Sequence, residues 1–61
     1  MNKNCYCPYC GTELRIMHEF YMEDNNETSI IGHCEIDGYD ATWKYNRITQ
    51  QKSDFERYFF G

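Results

Sequence analysis

Four cysteines stand in the 61-residue chain, Cys5, Cys7, Cys10 and Cys34. In Cys7-Pro8-Tyr9-Cys10-Gly11, two thiols separated by two residues can converge on one metal ion. The glycine after the second thiol lets the chain turn closely past the site. Amides of such a turn can point at the sulfurs and offset their charge. A redox C-x-x-C is expected beside a βαβ pattern, and none follows. Paired disulfides want a secretory context. Because the chain opens Met-Asn-Lys-Asn with no apolar targeting segment, its thiols are expected to stay reduced, in the cytoplasm.

A tetrahedral site needs four ligands, and the second pair must come from a distant segment. Cys34-Glu35-Ile36-Asp37-Gly38 repeats the register of the first string, with Asp37 where a second cysteine would stand. A carboxylate oxygen can bind zinc at about 2.0–2.2 Å, although it is a harder and weaker ligand than a thiolate. Cys7, Cys10, Cys34 and Asp37 are therefore the expected ligands of one structural zinc. Three other residues compete for the fourth place. Cys5 offers the softer atom, His33 abuts Cys34 but points to the opposite side of an extended chain, and His18 falls mid-strand.

These two strings, followed by Tyr39-Asp40-Ala41-Thr42-Trp43, resemble small bacterial and phage zinc-ribbon proteins. Those carry C-P-x-C-G near the start and C-x-x-C-G-Y-D-A-T-W or similar after a hairpin. The likeness covers residues 5 to about 45, and Asp37 departs from the family's fourth cysteine. What it implies is a zinc-stabilised β-ribbon of a kind that mostly lacks an assigned activity.

The elements that must position these ligands are legible from periodicity. Residues 5–11 and 34–38 form the two knuckles, and residues 12–33 read as a hairpin. In its first arm Leu14, Ile16, His18, Phe20 and Met22 share one face, with Arg15, Met17, Glu19 and Tyr21 on the other. Glu23 to Glu27 is a turn by composition, and Thr28 to His33 returns toward the first knuckle. Residues 40–46 alternate Ala41, Trp43 and Tyr45 with polar neighbours as a third strand. Ser53-Asp54-Phe55-Glu56 fits a capping box and predicts a short helix over 53–60, with Phe55, Tyr58 and Phe59 at helical spacing. The expected fold is a single small metal-stabilised β domain, a zinc ribbon of three antiparallel strands with a short C-terminal helix.

Composition narrows the function. A chain this short has a marginal core, and a metal, disulfides or a partner usually staples it. Aromatic residues make up 18%, too many for a disordered chain. No apolar run is long enough to span a membrane. The net charge of −4 argues against binding nucleic acid through bulk charge, and three bound thiolates with a divalent ion would make it more negative. The sequence carries no phosphate loop, H-E-x-x-H or nucleophile elbow, so no catalytic residue and no small-molecule substrate are expected. Tyr6, Tyr9, Tyr39, Trp43 and Tyr45 could stack on unpaired bases, and Arg15, Lys44 and Arg47 could gather on one sheet face. A protein partner or self-association through the aromatic strand face or the Phe55-Tyr58-Phe59-Phe60 tail is the favoured reading, with nucleic acid the alternative.

Overall fold

A computed structural model of the chain describes residues 3–59. It is a single four-stranded antiparallel sheet in the order β1-β2-β3-β4, with β1 Arg15–Met22, β2 Glu27–His33, β3 Asp40–Asn46 and β4 Lys52–Arg57. Neighbouring strands are joined in chain order, so every connection is a short turn and every pairing a hairpin. The molecule is only 15 Å thick in its thinnest direction, which leaves room for one sheet and one cover.

The cover is the segment before β1. Residues 3–14 cross one face of the sheet, fixed by Leu14 N–H to the Cys5 carbonyl at 2.8 Å and by a bridge between Tyr6 and Glu13. The indole Nε1 of Trp43 donates to the Lys3 carbonyl at 2.8 Å, and Lys52 Nζ reaches the Asn4 carbonyl at 2.7 Å. Between this segment and the sheet its Cys7 and Leu14 are buried together with Ile30, Cys34, Tyr39, Ala41 and Trp43. Burying a large apolar side chain of this kind contributes about 1.5–3 kcal/mol. Gly32 has no room for a side chain because Trp43 occupies that space. A Cβ there would stand 2.6 Å from Trp43 Cη2.

The alternation expected for β1 holds only at its start. Ile16 pairs with Gly32 but His18 pairs with Ile31, so Met17 is an extra residue and the strand carries a bulge. Beyond it the faces exchange. His18 and Phe20 stack on each other on the open face, exposed, while Glu19 turns to the covered face and pairs with the Lys3 ammonium.

The helix expected over 53–60 is not formed. Residues 52–57 are instead β4, paired with β3 through Ala41–Arg57, Thr42–Glu56, Lys44–Ser53 and Tyr45–Lys52. A helix of two turns is unstable alone, whereas β3 offers a row of backbone groups that would otherwise form an open edge. The capping-box residues form a bulge in β4. Between Thr42 and Lys44 the pairing slips by one residue, and Asp54 takes up the slack at φ 56°. Phe55 then lies against Trp43, with ring centroids 6.0 Å apart. The expected place of Phe60 lies outside the described residues.

The two ends of the sheet are closed differently. The two cysteine-bearing turns close one. At the other, Arg47 donates to the carbonyls of Glu27 at 2.6 Å and Met22 at 3.1 Å and to Thr28 Oγ1 at 3.1 Å, with its guanidinium over the Tyr21 ring. Thr28 is buried, so this clamp satisfies a polar group within the core.

Candidate metal centre

The two knuckles have the same backbone. In the first, Cys7 N–H donates to the Thr12 carbonyl at 2.8 Å and Gly11 N–H to the Cys7 carbonyl at 2.9 Å. In the second, Cys34 N–H donates to the Tyr39 carbonyl at 2.7 Å and Gly38 N–H to the Cys34 carbonyl at 2.9 Å. Gly11 and Gly38 both lie in the left-handed region, at φ 75° and 77°. That conformation is open to glycine at little steric cost, which explains the glycine at the same offset in both strings.

The turns face each other because β2 carries Cys34 back beside the segment that precedes β1. The pairing of Arg15 with His33 sets that approach, and Arg15 Nη1 donates to Glu35 Oε1 at 3.1 Å across it. As a result Cys7, Cys10, Cys34 and Asp37 bring one ligand atom each within 4.8 Å of one another. Cys10 and Cys34 stand 3.3 Å apart, sulfur to sulfur, and the Cys7 thiol donates to Asp37 Oδ2 at 3.2 Å. The residues expected as ligands are thus close enough together to hold a metal ion.

The other candidates stand elsewhere. Cys5 is half-buried, packed against the core cluster and outside the group. His33 Nδ1 is engaged with Asp40 Oδ1 at 2.5 Å, and His18 lies exposed against Phe20.

Protonation within the site is uneven. The Cys10 sulfur accepts from the Thr12 hydroxyl and amide and from Cys34, which holds its thiol below the usual range. Cys34 shows the opposite balance. The Asp37 amide is the largest influence and favours its thiolate, but burial, Cys10 and the Asp37 carboxylate prevail and push the thiol up to about 11. Asp37 is held low, first by the Cys7 thiol, then by Cys34 and the Tyr39 amide, which donates to Oδ1 at 3.0 Å. A cation bound here would have to displace the proton of the Cys34 thiol.

Thr12 and Tyr39 are the site residues that ligand spacing does not reveal. Each follows a knuckle glycine and returns its amide to the second ligand of that knuckle. Their position directly after Gly11 and Gly38 is the signal, since the turn delivers that amide whatever its side chain. No family model matches the chain, and neither a curated protein nor a solved structure does.

Proposed function

We propose that the chain is a zinc-ribbon module in which Cys7, Cys10, Cys34 and Asp37 hold one structural zinc and the surface around them binds protein. The convergence of the four ligand atoms within 4.8 Å carries the metal half of this reading. With a Zn–S bond near 2.3 Å, two sulfurs of a tetrahedron lie about 3.8 Å apart, close to the separations already present. Three thiols select a soft or borderline ion over calcium or magnesium. Four protein ligands complete a tetrahedron and leave no open position, the pattern of structural rather than catalytic zinc. A bound ion would tie the covering segment to the sheet at the end opposite the Arg47 clamp.

Exposed rings and aliphatic groups support a protein partner. Tyr9 and Ile36 occupy equivalent tip positions of the two knuckles and are 73% and 71% exposed. Phe20, Tyr21 and Phe59 are exposed as well. Aromatic residues of this kind anchor protein interfaces. The outer edge of β1 adds unpaired backbone, whereas the Asp54 bulge and the charges of β4 blunt the other edge.

Binding to nucleic acid finds less support. Arg15 and Arg47 lie at opposite ends of the sheet rather than on one face, and each is spent on groups of the protein itself. Lys3 pairs with Glu19, Lys52 holds the Asn4 carbonyl, and Arg57 lies over the Tyr39 and Phe59 rings. The discriminating experiment combines light scattering, capture from nuclease-treated lysate and titration with single-stranded DNA and RNA. Self-association or a captured protein is expected. Tight, steeply salt-dependent nucleic-acid binding would reverse the order of the two readings.

A further inference from the structure

We propose that the Asp37 corner of the centre is an exchangeable coordination position, at which the sulfur of a small thiol displaces the carboxylate. This rests on the zinc reading above and adds which corner opens and to what class of ligand.

The four corners are unequal in access. Cys7 and Cys34 are buried, so solvent molecules cannot reach their side of the site. Cys10 and Asp37 are exposed, and Asp37 sits on a turn whose tip, Ile36, stands in water. They are unequal in chemistry as well. Cys10 presents a soft sulfur. Asp37 presents a hard oxygen within an otherwise all-sulfur set, the donor that a borderline metal releases most readily to a thiolate.

The carboxylate also has somewhere to go. Asp37 Oδ1 accepts the Tyr39 amide at 3.0 Å within the turn, whereas Oδ2 faces the Cys7 sulfur at 3.2 Å. Releasing Oδ2 leaves the carboxylate tethered by Oδ1 and hydrated, with no charge stranded in the core. Gly38, with φ 77° and no atom within 4 Å of its missing side chain, gives the space beside the turn. In the exchange the metal–Oδ2 bond breaks, a metal–sulfur bond forms, and the thiol proton passes to solvent. No electron is transferred.

One rival source of sulfur lies on the same chain. Cys5 precedes Cys7 by two residues and packs against the core, so the test must separate an entering small thiol from Cys5.

The full chain, freed of metal, is titrated with Co2+, and the near-ultraviolet sulfur-to-cobalt charge-transfer band is followed. Uptake of one equivalent reports the centre itself. 2-Mercaptoethanol is then added. The proposal expects the band to rise saturably by about a third, as three bound thiolates become four. Cys5→Ser should behave like the parent chain. Asp37→Cys should start at the higher intensity and show no further rise. An unchanged band while cobalt stays bound would overturn the exchange but leave the metal centre standing. A rise that disappears in Cys5→Ser, or loss of cobalt without any rise, would overturn it too. Absence of cobalt uptake would remove the centre and the exchange together.

Discussion

Gly11 and Gly38 hold the same backbone conformation, at φ 75° and 77°, and each returns its amide to the carbonyl of a cysteine four residues earlier at 2.9 Å. The turn between β3 and β4 repeats the pattern without a cysteine. Asn46 N–H donates to the Gln51 carbonyl at 2.9 Å, Gln50 N–H donates to the Asn46 carbonyl at 2.8 Å, and Gln50 takes φ 60°. Asn46 Oδ1 accepts the amides of Ile48 and Thr49, the offsets at which the Ile36 and Asp37 amides meet the Cys34 sulfur. Among the described residues the knuckle is therefore a backbone form used three times, twice around the Cys7, Cys10, Cys34 and Asp37 cluster and once with an amide side chain in the sulfur's place.

Opposite substitutions at equivalent positions follow from this. A left-handed residue with a side chain costs about 1–2 kcal/mol, so Gly11→Ala and Gly38→Ala should each destabilise by about that amount. Nothing lies near either missing Cβ, so the cost is conformational rather than steric. Gln50→Gly should instead stabilise, by up to about 1 kcal/mol. Urea denaturation of the metal-loaded chains measures all three, and a loss in Gln50→Gly would contradict the equivalence.

Gly32 is constrained for a different reason. Its missing Cβ would meet Trp43 Cη2 at 2.6 Å and Cζ3 at 2.8 Å, and the indole is fully buried. Gly32→Ala should cost about 1–3 kcal/mol through overpacking and red-shift the Trp43 emission as the ring is forced outward. Parent-like stability with unchanged fluorescence would contradict the close approach.

Arg47 should prove hard to replace. Its guanidinium reaches three oxygens at once, and an ammonium cannot span them. Arg47→Lys is expected to lose about 1.5–3 kcal/mol, nearly as much as Arg47→Ala, because buried Thr28 loses its partner in both. A Lys variant with parent-like urea resistance would show that charge alone suffices.

Metal affinity should fall as the solution is acidified. The Cys34 thiol of the metal-free chain is pushed up to about 11, so at any pH below that a metal must displace its proton. That one residue weakens apparent affinity by about tenfold for each unit of pH lost. Cys10 is held low and ceases to contribute first as pH rises, while Asp37, also held low, stays ionised until strong acid. Competition with a chromophoric chelator between pH 6 and 8 would give the slope, and a pH-independent affinity would exclude Cys34 as a ligand.

The clustering of Cys7, Cys10, Cys34 and Asp37 was legible because the two strings share one register, with Asp37 where a fourth cysteine would stand. β3 was legible because Ala41, Trp43 and Tyr45 alternate without interruption. β1 was legible as a strand to Met22, but its faces only as far as Ile16, since the bulge at Met17 follows from pairing with β2 and exchanges the faces beyond it. The stretch from Ser53 to Glu56 carries a genuine local helix-start signal, but strand pairing with β3 overrides it. Local propensity contains no record of that partner. The turn at Asn46 was invisible for a simpler reason: without cysteines, nothing in its composition sets it apart from an ordinary polar loop.

X-ray absorption at the zinc edge, on protein purified without added metal or thiol, tests the centre most directly. One zinc per chain with three sulfurs at about 2.3 Å and one oxygen at about 2.0–2.2 Å is the expected result. A shell of four sulfurs would put Cys5 in the place given to Asp37, and nitrogen scattering would bring in a histidine. Either shell, or protein that folds without zinc in the presence of a chelator, would contradict a centre built from Cys7, Cys10, Cys34 and Asp37.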